Sequence, residues 1–386
     1  MGGSQSILPP RPLGFEYMCI AFREPNKLRI ILGTVHEATI IRQTIQESWP
    51  PGIQKESFKL NGVHKFQLML CPFETSSLNE AVVVGQMAER ILRRLLQDGW
   101  KLQTSSNLTQ TTDLTSWIFK KVAGTNVSSQ PFLVVGLSST DSLMVLNAPA
   151  DLHQLFKDAI RESWPLGIQK WSSFKNGVLV IKLRGHPWNP DGFGTVHSRV
   201  LLQAIISRLF LKNWNLYGNF NLKSTANTLF FQYDPTMVQG MMGVRALQPP
   251  EYFMISLNSN DLLRVIGAPE SLLPVVQDVI QGCWFKGIQD SSSYAGSWQF
   301  KLRGTPWWAE GKETVESRFL ILKLMEAMQA CGWSLVASID SSRKASDKSS
   351  LVFRQSQPKQ SPFLCVSLHE SDKLRLINAP EDIEKV

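Results

Sequence analysis

The sequence lacks most of the features that would assign it to a secreted or a membrane-spanning protein. Its five cysteines are widely spread and form no CxxC pair, which favours reduced thiols over a disulfide framework. There is no apolar run of about eighteen residues, so we expect no transmembrane helix. The N-terminus also lacks the basic and apolar regions of a secretory signal. These absences predict a cytoplasmic protein.

Catalytic signatures are missing as well. The motifs GxGxxG, GxxxxGKS/T, GxSxG and HExxH do not occur. The six histidines fall at different positions of the repeat described below, so no shared metal site is predicted. We therefore expect no enzyme, no cofactor and no metal, although catalysis by groups distant in sequence stays open.

The composition is that of a folded protein with a basic balance. Apolar residues make up 43% and charged residues 19% of the chain, which argues against wholesale disorder. Forty basic and thirty-two acidic residues leave a net charge of +8. That charge favours anionic partners such as nucleic acid, phospholipid headgroups or acidic proteins. The alternative is a mildly basic protein with no such partner, because no polybasic block is present.

Residues 1–14 are predicted to be a flexible leader with a lipidation signal. Met1 to Ser6 reads MGGSQS and matches the N-myristoylation pattern, with Gly2 as the acceptor. The alternative is a flexible tail rich in glycine and serine. One myristoyl chain binds membranes with an association constant of only about 10⁴ M⁻¹, so a second signal would be needed. Nearby basic residues such as Arg23 and Arg29 are too few to form a strong second signal.

Two sets of tryptophans show that the chain is an array of repeats. Each tryptophan of the first set precedes x-x-Gly-Ile-Gln, and those of the second set follow long helical stretches. Within each set, neighbouring tryptophans lie 114 to 120 residues apart. This period is longer than the roughly 20–50 residues of solenoid repeats, so each unit should be a self-contained domain. The two sets are Trp49, Trp164 and Trp284, and Trp100, Trp214 and Trp333.

The apolar periodicity of the clearest copy predicts an α+β fold. We expect three tandem ββαβαββ domains, each an antiparallel sheet with two helices on one face. In the third copy, Asp290 to Gly296 is predicted to be a polar loop. The predicted units are the divergent repeat 15–123, the repeats 132–234 and 251–358, and a partial fourth repeat at 362–386. Whether that last segment is a domain cut short or docks on the third copy stays open.

Copies two and three share a basic loop together with a helix arginine. A strand ending in Arg-Gly-x-Pro-Trp, facing a helix that carries Ser-Arg near its N-terminus, could bind a phosphate or carboxylate. The alternative is that the arginines pair with acids such as Glu313 or Asp191 while Pro-Trp caps the core. The candidate anion- or ligand-binding residues are Lys182, Arg184, Trp188 and Arg199, and Lys301, Arg303, Trp307 and Arg318.

The first copy departs from both parts of this pattern. It has Leu70-Cys71-Pro72-Phe73 in place of the Arg-Gly-x-Pro-Trp loop, and Gly85 at the position of Arg199 and Arg318. We therefore expect it to be structural or differently specialised.

These observations favour a non-catalytic cytosolic interaction or adaptor protein, tethered to a membrane if Gly2 is acylated. Its expected partners are other proteins and an anionic membrane surface, because tandem weak sites gain avidity. The alternative is a protein that binds nucleic acid or another anion through the repeated basic loops. The oligomeric state stays open.

Overall fold

The computed structural model describes residues 16–59, 62–74, 77–106, 113–122, 130–174, 177–221, 227–236, 251–342, 348–369 and 373–384. Over these residues the chain forms three six-stranded antiparallel sheets and one two-stranded sheet.

The first two copies have the same order of elements. Copy one consists of β1 (Tyr17–Arg23), β2 (Lys27–Ile31), α1 (Val35–Ser48), β3 (Ile53–Lys59), β4 (Val63–Leu68), α2 (Leu78–Gln97), β5 (Trp100–Ser106) and β6 (Asp113–Lys121). Copy two consists of β7 (Phe132–Ser138), β8 (Ser142–Leu146), α3 (Leu152–Ser163), β9 (Ile168–Ser173), β10 (Leu179–Leu183), α4 (Gly194–Leu211), β11 (Trp214–Phe220) and β12 (Thr228–Tyr233).

The third copy repeats this order, and a fourth copy begins after it. Copy three consists of β13 (Tyr252–Asn258), β14 (Leu262–Ile266), α5 (Leu272–Cys283), β15 (Ile288–Tyr294), β16 (Ser297–Leu302), a 3₁₀ turn (Pro306–Trp308), α6 (Glu313–Ala330), β17 (Trp333–Ile339) and β18 (Ser350–Gln355). The fourth copy consists of β19 (Cys365–His369), β20 (Lys373–Ile377) and the short helix α7 (Glu381–Glu384).

The predicted α+β class, the three tandem copies and the partial fourth copy are confirmed, but each copy has one strand more than expected. The polar segment expected to be a loop is largely the strand β15, which pairs with β16 and turns at Ala295 and Gly296. Both turn residues have positive φ, 50° and 80°, as a tight hairpin turn requires. The strand has no apolar alternation because it lies at the sheet edge with most of its residues exposed.

The three sheets share one strand order. It is β3-β4-β2-β1-β6-β5 in copy one, β9-β10-β8-β7-β12-β11 in copy two and β15-β16-β14-β13-β18-β17 in copy three. The registers of the ladders therefore relate positions between copies. Arg29, Met144 and Arg264, for example, hold the same place on the second strand of each copy.

The long helix of each copy packs against the sheet of the next copy. The first hydrophobic core joins α2 to Phe132, Val134, Met144 and Leu146 of the second sheet. The second core joins α4 to the third sheet in the same way, through Tyr252, Met254, Ile266 and Val352. The molecule is therefore a stack in which sheets and helix layers alternate.

The C-terminal hairpin continues this stack on α6. Arg375 donates from Nη1 to Thr314 Oγ1 at 3.0 Å, which repeats the 2.7 Å bond from Arg264 to Thr195 one copy earlier. Strands β19 and β20 therefore form the first hairpin of a fourth copy, and this hairpin docks on the third copy at the position that β13 and β14 occupy on the second.

The outer face of the first sheet has no such neighbour among the described residues. Strand β1 alternates between buried and partly exposed residues, whereas all residues of β13 and nearly all of β7 are buried. Alternation is typical of a sheet with one face in solvent, and continuous burial is typical of a sheet covered on both faces.

Candidate functional site

The Arg-Gly-x-Pro-Trp loops have one backbone geometry in copies two and three. The backbone N–H of Arg184 donates to Gly167 O, and the Trp164 indole donates to Arg184 O at 2.9 Å. In copy three, Arg303 donates to Gly287 O and receives the Trp284 indole bond, also at 2.9 Å. The loop therefore ties the end of a strand to the tryptophan that closes the first helix.

The loop tryptophans are core residues. Trp188 is fully buried, and its indole donates to Ser142 O at 2.8 Å. Trp307 is 7% exposed and donates to Leu262 O at 2.9 Å. Since each indole N–H is satisfied by a strand carbonyl, the geometry of both residues is that of a cap on the core, which is the alternative considered from sequence.

Copy one builds the same loop from other residues. The Trp49 indole donates to Met69 O at 3.0 Å, so Met69 takes the place of Arg184. Leu70 has φ 61°, close to the 75° of Gly185. Phe73 is fully buried at the place of Trp188, and its N–H donates to Pro25 O. The departure in sequence is therefore not a departure in backbone structure.

The basic residues of the two motifs lie in different surroundings. Arg184 and Arg303 are exposed, and Lys301 is half-buried. Lys182 pairs with Asp141 at 3.4 Å. Of the acids proposed as local partners, Glu313 pairs with Lys286.

The helix arginines face the neighbouring layers of the stack. Arg199 is 1% exposed and donates from Nε to Ser350 Oγ of the third sheet at 3.4 Å. It also donates from Nη1 to Thr195 O at 3.0 Å. Arg318 makes the corresponding bond to Thr314 O at 2.7 Å, but it is only half-buried. Copy three thus brings two candidate residues together, since Trp307 and Arg318 line one groove.

This groove, which we call the α6 groove, has a volume of about 600 Å³. One wall is the helix α6 with Arg318, Ile321 and Met325, and the other is the segment that runs into β19, including Cys365. Its lining is more apolar than polar, and the polar side chains in it include Thr314, Ser317, Arg318 and Lys348. Pockets of this volume and character are typical of ligand and peptide sites.

The α6 groove lies beside the long helix of copy three. The equivalent place beside α4, the long helix of copy two, is occupied by a strand. In copy three, β18 pairs with β13 and places Ser350 against the buried Arg199. Arg318 is the equivalent of Arg199, and β19 is the equivalent of β13. Among the described residues β19 pairs only with β20. The edge of β19 opposite β20 therefore borders the groove, and the described residues place no strand against it.

The thiol of Cys365 and the guanidinium of Arg318 influence each other in the α6 groove. Burial raises the pKa of the Cys365 thiol, and the nearby Arg318 guanidinium opposes that shift. A thiol with a raised pKa is protonated at neutral pH, so Cys365 presents a small neutral surface there. Arg318 is the charged group on the helix wall. It suits a hydroxyl or carbonyl acceptor on an incoming segment.

The groove residues on the C-terminal hairpin were missed at the sequence level because they are distant from α6 in the chain. The equivalence of Arg199 with Arg318, combined with the fourth hairpin, was the signal that could have located them. Gly2 lies outside the described residues.

Two kinds of feature are absent from the described residues. No helix among them is both long enough and apolar enough to cross a membrane. Within the same part of the chain, no group of three or more His, Cys, Asp or Glu side chains could hold a metal ion.

A comparison with protein families gives three matches. The model of one domain family matches residues 16–120, 131–235 and 251–354, which together make up most of the chain. No curated protein and no solved structure is significantly similar to the chain.

Proposed function

The chain belongs to the family defined by this repeated domain, and from its stacked copies we propose that it is a non-catalytic interaction protein that binds an extended segment of a partner protein. The observation that carries the proposal is the α6 groove beside the edge strand β19. Strand addition at an exposed sheet edge is a recurrent mode of peptide recognition, in which backbone bonds give affinity and side-chain pockets give specificity.

The earlier copies indicate what the bound segment should look like. Strands β12 and β18 occupy the equivalent position, and their sequences are Thr-Leu-Phe-Phe-Gln and Ser-Leu-Val-Phe-Arg. On the face toward the preceding helix they carry a hydroxyl residue followed two positions later by an apolar one, Phe230 or Val352. The partner segment should therefore read Ser/Thr-x-apolar, with the hydroxyl against Arg318 and the apolar side chain against Met325.

We expect a labelled peptide with the sequence of residues 348–356 to bind the full chain, as measured by fluorescence polarisation. Arg318→Glu should weaken binding by about tenfold or more, because a hydrogen bond to a charged group contributes roughly 1.5–3 kcal/mol. The matched control is Arg303→Glu, which makes the same charge change in the same copy at an exposed residue outside the groove.

Variants of the peptide test the geometry without altering the protein. Proline at the position of Leu351 should abolish binding, because the N–H of that residue lies on the side of β18 that pairs with β13, and proline removes this ladder donor. Aspartate at the position of Val352 should also abolish it, because the charge would enter an apolar part of the groove. The proposal is refuted if the peptide does not bind, or if the two arginine variants bind it equally.

The proposed membrane tether at Gly2 has a separate test. We expect intact-mass spectrometry of the full chain from animal cells to show a myristoyl addition that Gly2→Ala abolishes, because only an N-terminal glycine presents the acceptor amine. An unmodified wild-type chain would remove the tether from the proposed function and leave the groove unaffected.

A further inference from the structure

The outer face of the first sheet carries a groove lined by four basic side chains. This groove, here the β2–β4 groove, has a volume of about 200 Å³. Its cations come from three neighbouring strands, and Ser57 and Gln67 add neutral polar groups, while no acidic residue lines it. The four basic residues are Lys27, Arg29, Lys55 and Lys65.

Two features of the β2–β4 groove favour an anion. Arg29 and Lys65 stand directly opposite each other on β2 and β4, and like charges in that position destabilise a sheet. Lys27 and Lys55 flank Gln67 from the two sides. Arg29 Nε is buried and has no hydrogen-bond partner among the described residues. An anion in the groove would reduce the repulsion between neighbouring cations and supply an acceptor for Arg29 Nε.

The other two copies use the same positions differently. In copy two, the equivalents of Arg29 and Lys65 are Met144 and Val180, which pack on α2 in the first core. In copy three, the equivalent Arg264 donates to Gln299 and to Thr195 of α4. These positions therefore contact the next layer wherever one covers the sheet, and in copy one, where the described residues place no layer, both are basic. Solubility alone requires only a polar outer face, which residues of both charges would provide. It therefore does not explain a groove lined by basic residues alone.

We propose that the β2–β4 groove binds phosphate groups of anionic lipids and docks the first sheet on a membrane surface. The small volume suits a headgroup phosphate rather than a long nucleic-acid strand, which requires an extended basic track with stacking aromatics. Gly2 lies fifteen residues before Tyr17 of this sheet, so an acyl chain there is within about 50 Å of contour length. The groove supplies the second signal that a single acyl chain needs.

The inference extends the proposed tether but does not depend on it, so it is tested with unacylated full-length protein. We expect co-sedimentation with vesicles of phosphatidylcholine and phosphatidylserine in equal parts, weakened by salt, and no co-sedimentation with phosphatidylcholine alone. Each basic residue near an anionic leaflet contributes roughly fivefold. Lys27→Glu with Lys55→Glu should therefore lower binding about 25-fold or more. Both lysines are exposed, and the fold is checked by circular dichroism.

The matched control is Lys212→Glu with Lys359→Glu, which makes the same change in net charge at exposed residues outside the first copy. Glycerophosphoserine should compete only weakly if the membrane surface, rather than a free phosphate, is the ligand.

Three outcomes overturn the inference: equal binding by both double variants, loss of binding in Arg184→Ala with Arg303→Ala, or tighter binding to single-stranded RNA than to vesicles. Binding of the 348–356 peptide should not change in Lys27→Glu with Lys55→Glu, which separates this inference from the proposed function.

Discussion

Replacing Trp188 by alanine is expected to lower the free energy of unfolding by about 3–5 kcal/mol, the usual cost of removing a large aromatic residue from a core. Trp188 is fully buried and belongs to the second hydrophobic core. The substitution also leaves Ser142 O without the indole donor. Equilibrium unfolding in urea, followed by circular dichroism, measures the change.

Two further variants give this experiment its controls. Trp308→Ala should cost less than about 1 kcal/mol, because Trp308 is 52% exposed. The loss of unfolding free energy in Trp188→Phe should lie between these two values, since Phe73 fills the same place in copy one without an indole N–H. If Trp188→Ala unfolds at the same urea concentration as Trp308→Ala, the loop does not cap the core and its tryptophan is available for a ligand.

Gly85→Arg is expected to lower the free energy of unfolding by about 3–5 kcal/mol, the cost typical of an uncompensated buried charge. An added Cβ at Gly85 would lie 2.7 Å from Leu146 Cδ1, with Met144 close behind. Gly85 holds the position of Arg199, which is accommodated by Ser350 and the carbonyl of Thr195. The first interface instead places two apolar side chains there, so the guanidinium would enter an apolar contact between α2 and the second sheet.

The matched control is Gly282→Arg in α5. Gly282 is exposed, and an added Cβ there meets nothing within 4 Å. We expect this variant to be neutral or stabilised by up to about 1 kcal/mol, because glycine is the poorer helix former. Gly85→Ala should be close to neutral, since the methyl contact and the gain in helix propensity oppose each other. Equal urea midpoints for the two arginine variants would show that the close approach of α2 to the second sheet is dispensable.

The elements that depend on nearby residues could be predicted from the sequence. The recurring tryptophans defined the repeat because each one closes a helix within its own copy, and apolar periodicity placed both helices and most strands. The strand β15 was missed because an exposed edge strand needs no apolar alternation. Its backbone bonds to β16 hold it in the sheet, and those bonds leave no pattern in the side chains.

The candidate site depended much more on tertiary structure. The sequence identified Arg318 and Trp307 as candidate binding residues. It placed them in one site with Arg303, which is exposed and lies outside the groove. It also treated copy one as divergent, although Met69, Leu70 and Phe73 build the same loop backbone. Backbone hydrogen bonds and a buried aromatic determine that loop, and more than one sequence satisfies them.

The sequence by itself determined the repeat, the α+β class and the beginning of a fourth copy, because these follow from local periodicity and from landmarks within each unit. Only the tertiary structure decided how the copies stack, and with that which faces are covered. Arg199 is buried while Arg318 lines a groove, and Met144 is a core residue while Arg29 lines a basic groove. Each pair holds one position of the repeat, and what differs is the layer packed against it, which belongs to another copy about a hundred residues away.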